Sequence, residues 1–166
     1  MGKTARLEYL RRILPLGLAV LGIAGWFYFM TLLSSIMCLV AAAAIYLAPP
    51  RPQPASGAIR PVSRPSVLTL DLIGFGLGLV FLPLAVLGLA SATGALAALA
   101  LICLLPASLS LVFFTVAVRQ ETSWVRFFGN GFEFTQFGLR VRVPYTDLEK
   151  VSVKLWHASG AVAWFQ

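Results

Sequence analysis

Two stretches without a single Asp, Glu, Lys or Arg constrain this chain more than any other feature. One runs between Arg12 and Arg51, the other between Asp71 and Arg119. A helix needs about 20 apolar residues to cross a hydrocarbon core about 30 Å thick, and uninterrupted apolar sequence of this length reads as membrane-spanning. Of the 166 residues, 59% are apolar and only 11% charged, against about 25% charged in an ordinary globular domain. This balance excludes a water-soluble enzyme of the usual kind, a disordered chain and a disulfide scaffold. The net charge of +7 collects in three polar segments: a basic tail at 1–12, a linker at 48–66 and a C-terminal region at 119–166. In a soluble protein such a charge would suggest nucleic acid. Beside apolar spans it sets topology instead, and the expected partner is the lipid bilayer.

The span count follows from length and charge. One helix over 13–47 would be about 52 Å long, more than an average tilt of about 20° absorbs. Two short spans at about 13–29 and 31–47, folded as a hairpin, fit better. Gly22, Gly25 and Trp26-Phe27-Tyr28-Phe29 then fall at the turn, where Trp and Tyr favour the headgroup level. A second hairpin occupies 67–118, divided at Ser91-Ala92-Thr93-Gly94, with Pro83 and Pro106 inside its helices; each proline removes a backbone hydrogen bond. Four spans place every Lys and Arg on one side and none in the two turns, whereas three would set the Arg-bearing linker opposite the N-terminus. The positive-inside rule selects four, with both termini cytoplasmic. Arg11-Arg12 before an apolar run also opens like an export signal. That run is more than twice an h-region of about 7–15 residues, so retention is expected. Met1-Gly2 begins like a myristoylation site, but Arg6 stands where Ser or Thr is required.

The linker carries six prolines between Pro49 and Pro65, and such a segment is extended and semi-rigid. It reads as a spacer between hairpins, the alternative being a PxxP ligand for a partner domain. After Val118 the pattern changes to alternation. Trp124–Phe128 leads through Gly129-Asn130-Gly131 into Phe132-Glu133-Phe134-Thr135, a hairpin signal. Leu139, Val141 and Val143 then alternate with Arg140 and Arg142, Val151, Val153 and Leu155 alternate with polar residues, and 161–165 forms a last apolar run. The tail therefore reads as a small antiparallel β unit with one apolar and one basic or polar face.

Gly131-Phe132, Gly138, Val143-Pro144-Tyr145 and Asp147-Leu148 follow a pattern that resembles bacterial pleckstrin-homology-like domains of YcxB-like membrane proteins. The match covers about residues 122–156. The resemblance implies a PH-like domain behind a transmembrane hairpin in a bacterial inner membrane, with structural rather than catalytic motifs. Two departures stand out. The hairpin at 13–47 is additional, and 48 residues follow Val118, enough for about five strands. The domain is then reduced, completed by a partner chain, or cut short by a shortened reading frame.

Candidate sites are sparse. His157 is the one histidine, so a metal site with two His ligands and a relay through a second His are excluded. Cys38 and Cys103 lie in apolar sequence and read as small hydrophobes; a helix contact between them is possible. Gly74, Gly76 and Gly78 lack the strand and Lys of a nucleotide loop, so Gly74 and Gly78 read as a helix-packing GxxxG face, continued by Gly88 and Gly94. Asp71, four residues into its span, is expected to pair with Arg64 or Arg119 near the headgroups, the alternative being a proton or ion relay. Arg126, Arg140, Arg142, Lys150 and Lys154 form a basic face that Glu121, Glu133, Asp147 and Glu149 partly offset; it reads as a solvated sheet face, the alternative being contact with anionic lipid or a partner. No nucleophile–base pair, cofactor site or small-molecule substrate emerges. The expectation is a non-catalytic scaffold, accessory subunit or sensor working with a protein partner or as a homo-oligomer, the alternative a small transporter or channel component using Asp71.

Overall fold

The computed structural model describes residues 1–28, 31–60, 65–90, 94–148, 153–156 and 162–165. Four helices, α1 (Lys3–Tyr28), α2 (Leu32–Leu47), α3 (Val67–Ala90) and α4 (Gly94–Thr122), precede strands β1 (Val125–Phe128), β2 (Gly131–Gln136), β3 (Leu139–Pro144), β4 (Val153–Trp156) and β5 (Val162–Phe165). Three helices are long and apolar enough to cross a membrane: α1 over Lys3–Phe27, α3 and α4. The protein is thus a helical membrane protein carrying a small β unit. With 16 residues, α2 is about 24 Å long.

α1 packs on α2 and α3 on α4. Thr31 caps α2, its Oγ1 accepting from the Ser34 N–H at 3.3 Å, which satisfies one of the donors a helix start leaves free. Arg11 lies against Tyr46 at one end of the α1–α2 pair and Gly22 against Ser35 and Cys38 further along, so the two helices run antiparallel. Gly22 is consequently a packing residue and not part of the turn. α3 and α4 form the most extensive helix pair, and α1 lies against both. All three long helices run through a proline, at Pro15, Pro83 and Pro106.

The basic segment at 1–12 is helical from Lys3 onward and continues into α1 without a break, and Glu8, Arg11 and Arg12 are buried at the mouth of the bundle. The linker also does more than space the hairpins. Ile59 and Val125 exchange backbone hydrogen bonds of 2.7 and 2.9 Å, so the proline-rich strap adds one rung to the outer edge of β1. The N-terminus, the linker and the β unit therefore meet at one end of the bundle.

β1, β2 and β3 form an antiparallel meander, and β4 pairs with β5 in a separate two-stranded sheet. The β1–β2 turn is Gly129-Asn130, with Gly131 already in β2 opposite Phe128. At the β2–β3 turn Phe137 (φ 50°) and Gly138 (φ 70°) are both left-handed, the backbone that matches strand twist in a two-residue hairpin. This turn rests on the start of α1, where the Gly2 N–H donates to the Phe137 carbonyl at 2.8 Å. A Cβ on Gly2 would collide with the Gly138 carbonyl. Gly2 therefore acts through packing. The other attachment is Thr135, 6% exposed: its hydroxyl donates to the Thr122 carbonyl at 2.7 Å and accepts from the Trp124 N–H at 3.0 Å.

Candidate functional site

The site grows from Arg12, which faces inward from the third turn of α1 and is 1% exposed. A buried guanidinium is tolerated only when its donors are met by paired charge. Here Nε and Nη2 straddle the Asp71 carboxylate of α3 at 2.6 and 3.0 Å, the two-pronged geometry that makes arginine–carboxylate pairs strong. Nη2 also reaches Glu121 Oε2 of α4 at 2.6 Å. Nη1 donates back to Glu8, to its carbonyl at 2.9 Å and its carboxylate at 3.1 Å. One side chain thus gathers an acid from each of α1, α3 and α4.

α2 joins through Tyr46, whose hydroxyl donates to Asp71 Oδ2 at 2.7 Å. Its carbonyl accepts from Arg11 Nε at 2.7 Å, and the Arg11 guanidinium lies 5.5 Å from the centre of its ring, within cation–π range. Arg11 also faces Glu8 Oε1 at 3.6 Å, and Arg51 of the linker approaches Glu121 Oε1 at 3.8 Å. Glu8, Asp71 and Glu121 therefore face Arg11, Arg12 and Arg51, and the formal charges of the six groups cancel. Beneath this layer Tyr46, Phe75 and Phe114 meet edge to face, with ring centres 5.2 and 4.9 Å apart. The cluster closes one end of the bundle, and Glu121 sits one residue before the hydrogen bonds that hold the sheet.

Chemically this is a clasp. Arg12 holds its charge at any ordinary pH and has no acceptor, and each acid is turned towards a guanidinium. Asp71 is paired as expected, but with Arg12 and Tyr46. Arg119 instead points over the Phe137 ring, and Arg64 lies outside the described residues. Asp71 is also enclosed by the bundle, at 2% exposed.

The glycines divide. A Cβ on Gly74 would lie 2.6 Å from the Phe114 ring of α4, whereas one on Gly78 would lie 2.6 Å from Leu16 of α1. The two residues thus serve different neighbours instead of one shared face. Gly88 packs on Leu96 and Ala100 of α4, while Gly94 has nothing within 4 Å and is not a packing residue. Cys38 packs against Gly22, Cys103 is buried in α4, and both thiols are free. On the β unit, Arg126 and Arg142 stack on Phe128 and Arg140 on Trp124. Lys150 and His157 lie outside the described residues, as does the side chain of Lys154, whose backbone pairs with Trp164 in β4–β5.

Glu8, Arg11, Arg12, Tyr46 and Glu121 were not among the sequence candidates. A signal existed: Glu8 and Arg12 are four apart, the spacing of a helical ion pair, and Asp71 needed a cation close to a span boundary. No family model matches the chain, and no match is found among curated proteins or solved structures.

Proposed function

We propose that the chain is a non-catalytic membrane scaffold or accessory subunit that presents its β unit to a protein partner at the inner face of a bacterial cytoplasmic membrane. The observation that carries this reading is the double attachment of the sheet, through Thr135 to the end of α4 and through Phe137 to the start of α1. A sheet held at two points is fixed in orientation, and part of its apolar face is exposed among the described residues: Phe127 is 59%, Leu139 53% and Val141 42% exposed. Exposed contiguous apolar surface of this kind marks interaction sites. On this reading the β unit is PH-like, and α2 crosses as the second of four spans, which keeps every arginine-bearing segment on the cytoplasmic side.

The test is purification of the tagged chain from its native membrane in mild detergent. A stoichiometric protein partner, lost when Thr135→Val and Gly2→Val detach the sheet, is the expected result. A clean monomer with an intact tail would sink the proposal. The rival class, a small transporter or channel component, draws on the burial of Asp71 within α3. Asp71→Asn keeps a hydrogen-bond acceptor for Arg12 but removes charge. Under the scaffold reading the variant retains its partner with a modest loss of stability, whereas a relay would lose ion-dependent flux in proteoliposomes.

A further inference from the structure

The three-stranded sheet has two edges, and only one is covered among the described residues. The outer edge of β1 is met by the linker at Ile59. On the other side β3 pairs with β2 and, among the described residues, its outer row of backbone donors and acceptors is open. A free edge is a template for another strand.

The register fixes what that strand should look like. On one face Arg126 of β1 stands opposite Glu133 of β2, which stands opposite Arg142 of β3. Charge alternates in sign along this row, plus, minus, plus, and the next strand outward meets Arg142 with the row unfinished. Arg140, opposite Thr135, offers a second cation two residues along on the same face. On the other face Val125–Phe134–Val141 and Phe127–Phe132–Val143 run as apolar rows, and Val141 is 42% exposed at the edge. Directly opposed residues are the unit of sheet stabilisation, favourable for opposite charges and unfavourable for like charges.

We infer that the open edge of β3 is a strand-addition site for an extended segment of a protein partner in which acidic residues alternate with apolar ones. The acids face Arg140 and Arg142, and the apolar residues extend the rows ending at Val141 and Val143. Self-pairing of β3 is disfavoured in its central registers. An antiparallel pair about Val141 would set Arg140 against Arg142, and one about Arg142 would set that residue against itself. Like charges in those registers act against self-pairing, a known use of charge on edge strands. The covered edge supplies a precedent, since an extended segment has already added to this sheet at Ile59. This inference rests on the scaffold reading and names the chemistry of its partner.

The experiment uses the full chain in nanodiscs and a fluorescein-labelled peptide alternating valine with glutamate. Saturable binding by anisotropy is expected, weakening as salt rises, and abolished when alternate peptide nitrogens are methylated. Arg140→Glu with Arg142→Glu should weaken that peptide at least about tenfold and confer binding of the counterpart that alternates valine with lysine. Arg140→Gln with Arg142→Gln, a milder change, should weaken the acidic peptide without conferring the swap. Equal binding of both peptides to the unaltered chain, or none, would overturn the inference. So would a disulfide formed in high yield between Val141→Cys and Val153→Cys, which would give the edge to the chain's own C-terminal hairpin. A dimer formed by the unaltered chain and dissolved by the Glu substitutions would give it to a second copy. Failure here leaves the co-purification result standing, so the two readings fail separately.

Discussion

Replacing Arg12 with Met should produce the largest loss of stability of any single substitution in the bundle. The side chain is 1% exposed and contacts Glu8, Asp71 and Glu121. Its removal leaves three carboxylates converging on an apolar gap, with the ion pairs from Arg11 to Glu8 and from the half-exposed Arg51 to Glu121 remaining among the described residues. Breaking a buried ion pair by deleting one partner costs about 3–5 kcal/mol, most of it the penalty on the charge left behind. Thermal unfolding in detergent should therefore show a large drop for Arg12→Met. Arg12→Lys should recover only part of it, because an ammonium cannot straddle Asp71 with two donors while meeting Glu121. Adding Glu8→Gln, Asp71→Asn and Glu121→Gln to Arg12→Met should restore much of the loss by removing the stranded charge. If Arg12→Met unfolds with the unaltered chain, the clasp contributes nothing and the buried geometry is incidental.

The way this cluster escaped the sequence shows what a one-dimensional reading can reach. Period and charge gaps are local, so the two helical hairpins, the alternating strands and the apolar face at Phe127, Phe132, Phe134, Val141 and Val143 were legible from spacing alone. The partner of Asp71 was not. Arg64 and Arg119 are nearer in sequence to Asp71 than Arg12 is, but the partner is set by how the α1–α2 hairpin docks on α3, a packing outcome with no local signature. The same holds for the glycines. Gly74 and Gly78 are four apart, which places them on one side of α3, yet a residue between two neighbours serves either. The identity of those neighbours, Phe114 and Leu16, emerges only from the assembled bundle. The same holds for residues 1–12: their charge sets topology locally, but the acids that Arg12 meets lie on two distant helices.

Gly88 carries the second large effect. An added Cβ there would stand 2.8 Å from both the Ala100 Cβ and the Leu96 carbonyl oxygen. The Leu96 oxygen is backbone inside α4, so it cannot rotate aside as a side chain can. At Gly78 the obstructing atoms are the tip of the flexible Leu16 side chain, which can shift more readily than backbone, whereas at Gly74 they belong to the fully buried Phe114 ring. Helix association in lipid rests on close van der Waals packing by small residues and has no hydrophobic drive between helices, so separating α3 from α4 forfeits much of what joins them. Gly88→Leu should cost about 1–3 kcal/mol as overpacking, with the smaller Gly88→Ala already measurable. Gly76→Leu is the matched control: it lies on the same helix with nothing within 4 Å of its added Cβ, so removal of a flexible residue is not opposed by a clash. Unfolding titrations in mixed micelles should order the variants Gly76→Leu, Gly78→Leu and Gly88→Leu from least to most destabilised. Equal losses at Gly76 and Gly88 would mean that lipid exposure, and not the α3–α4 contact, governs these positions.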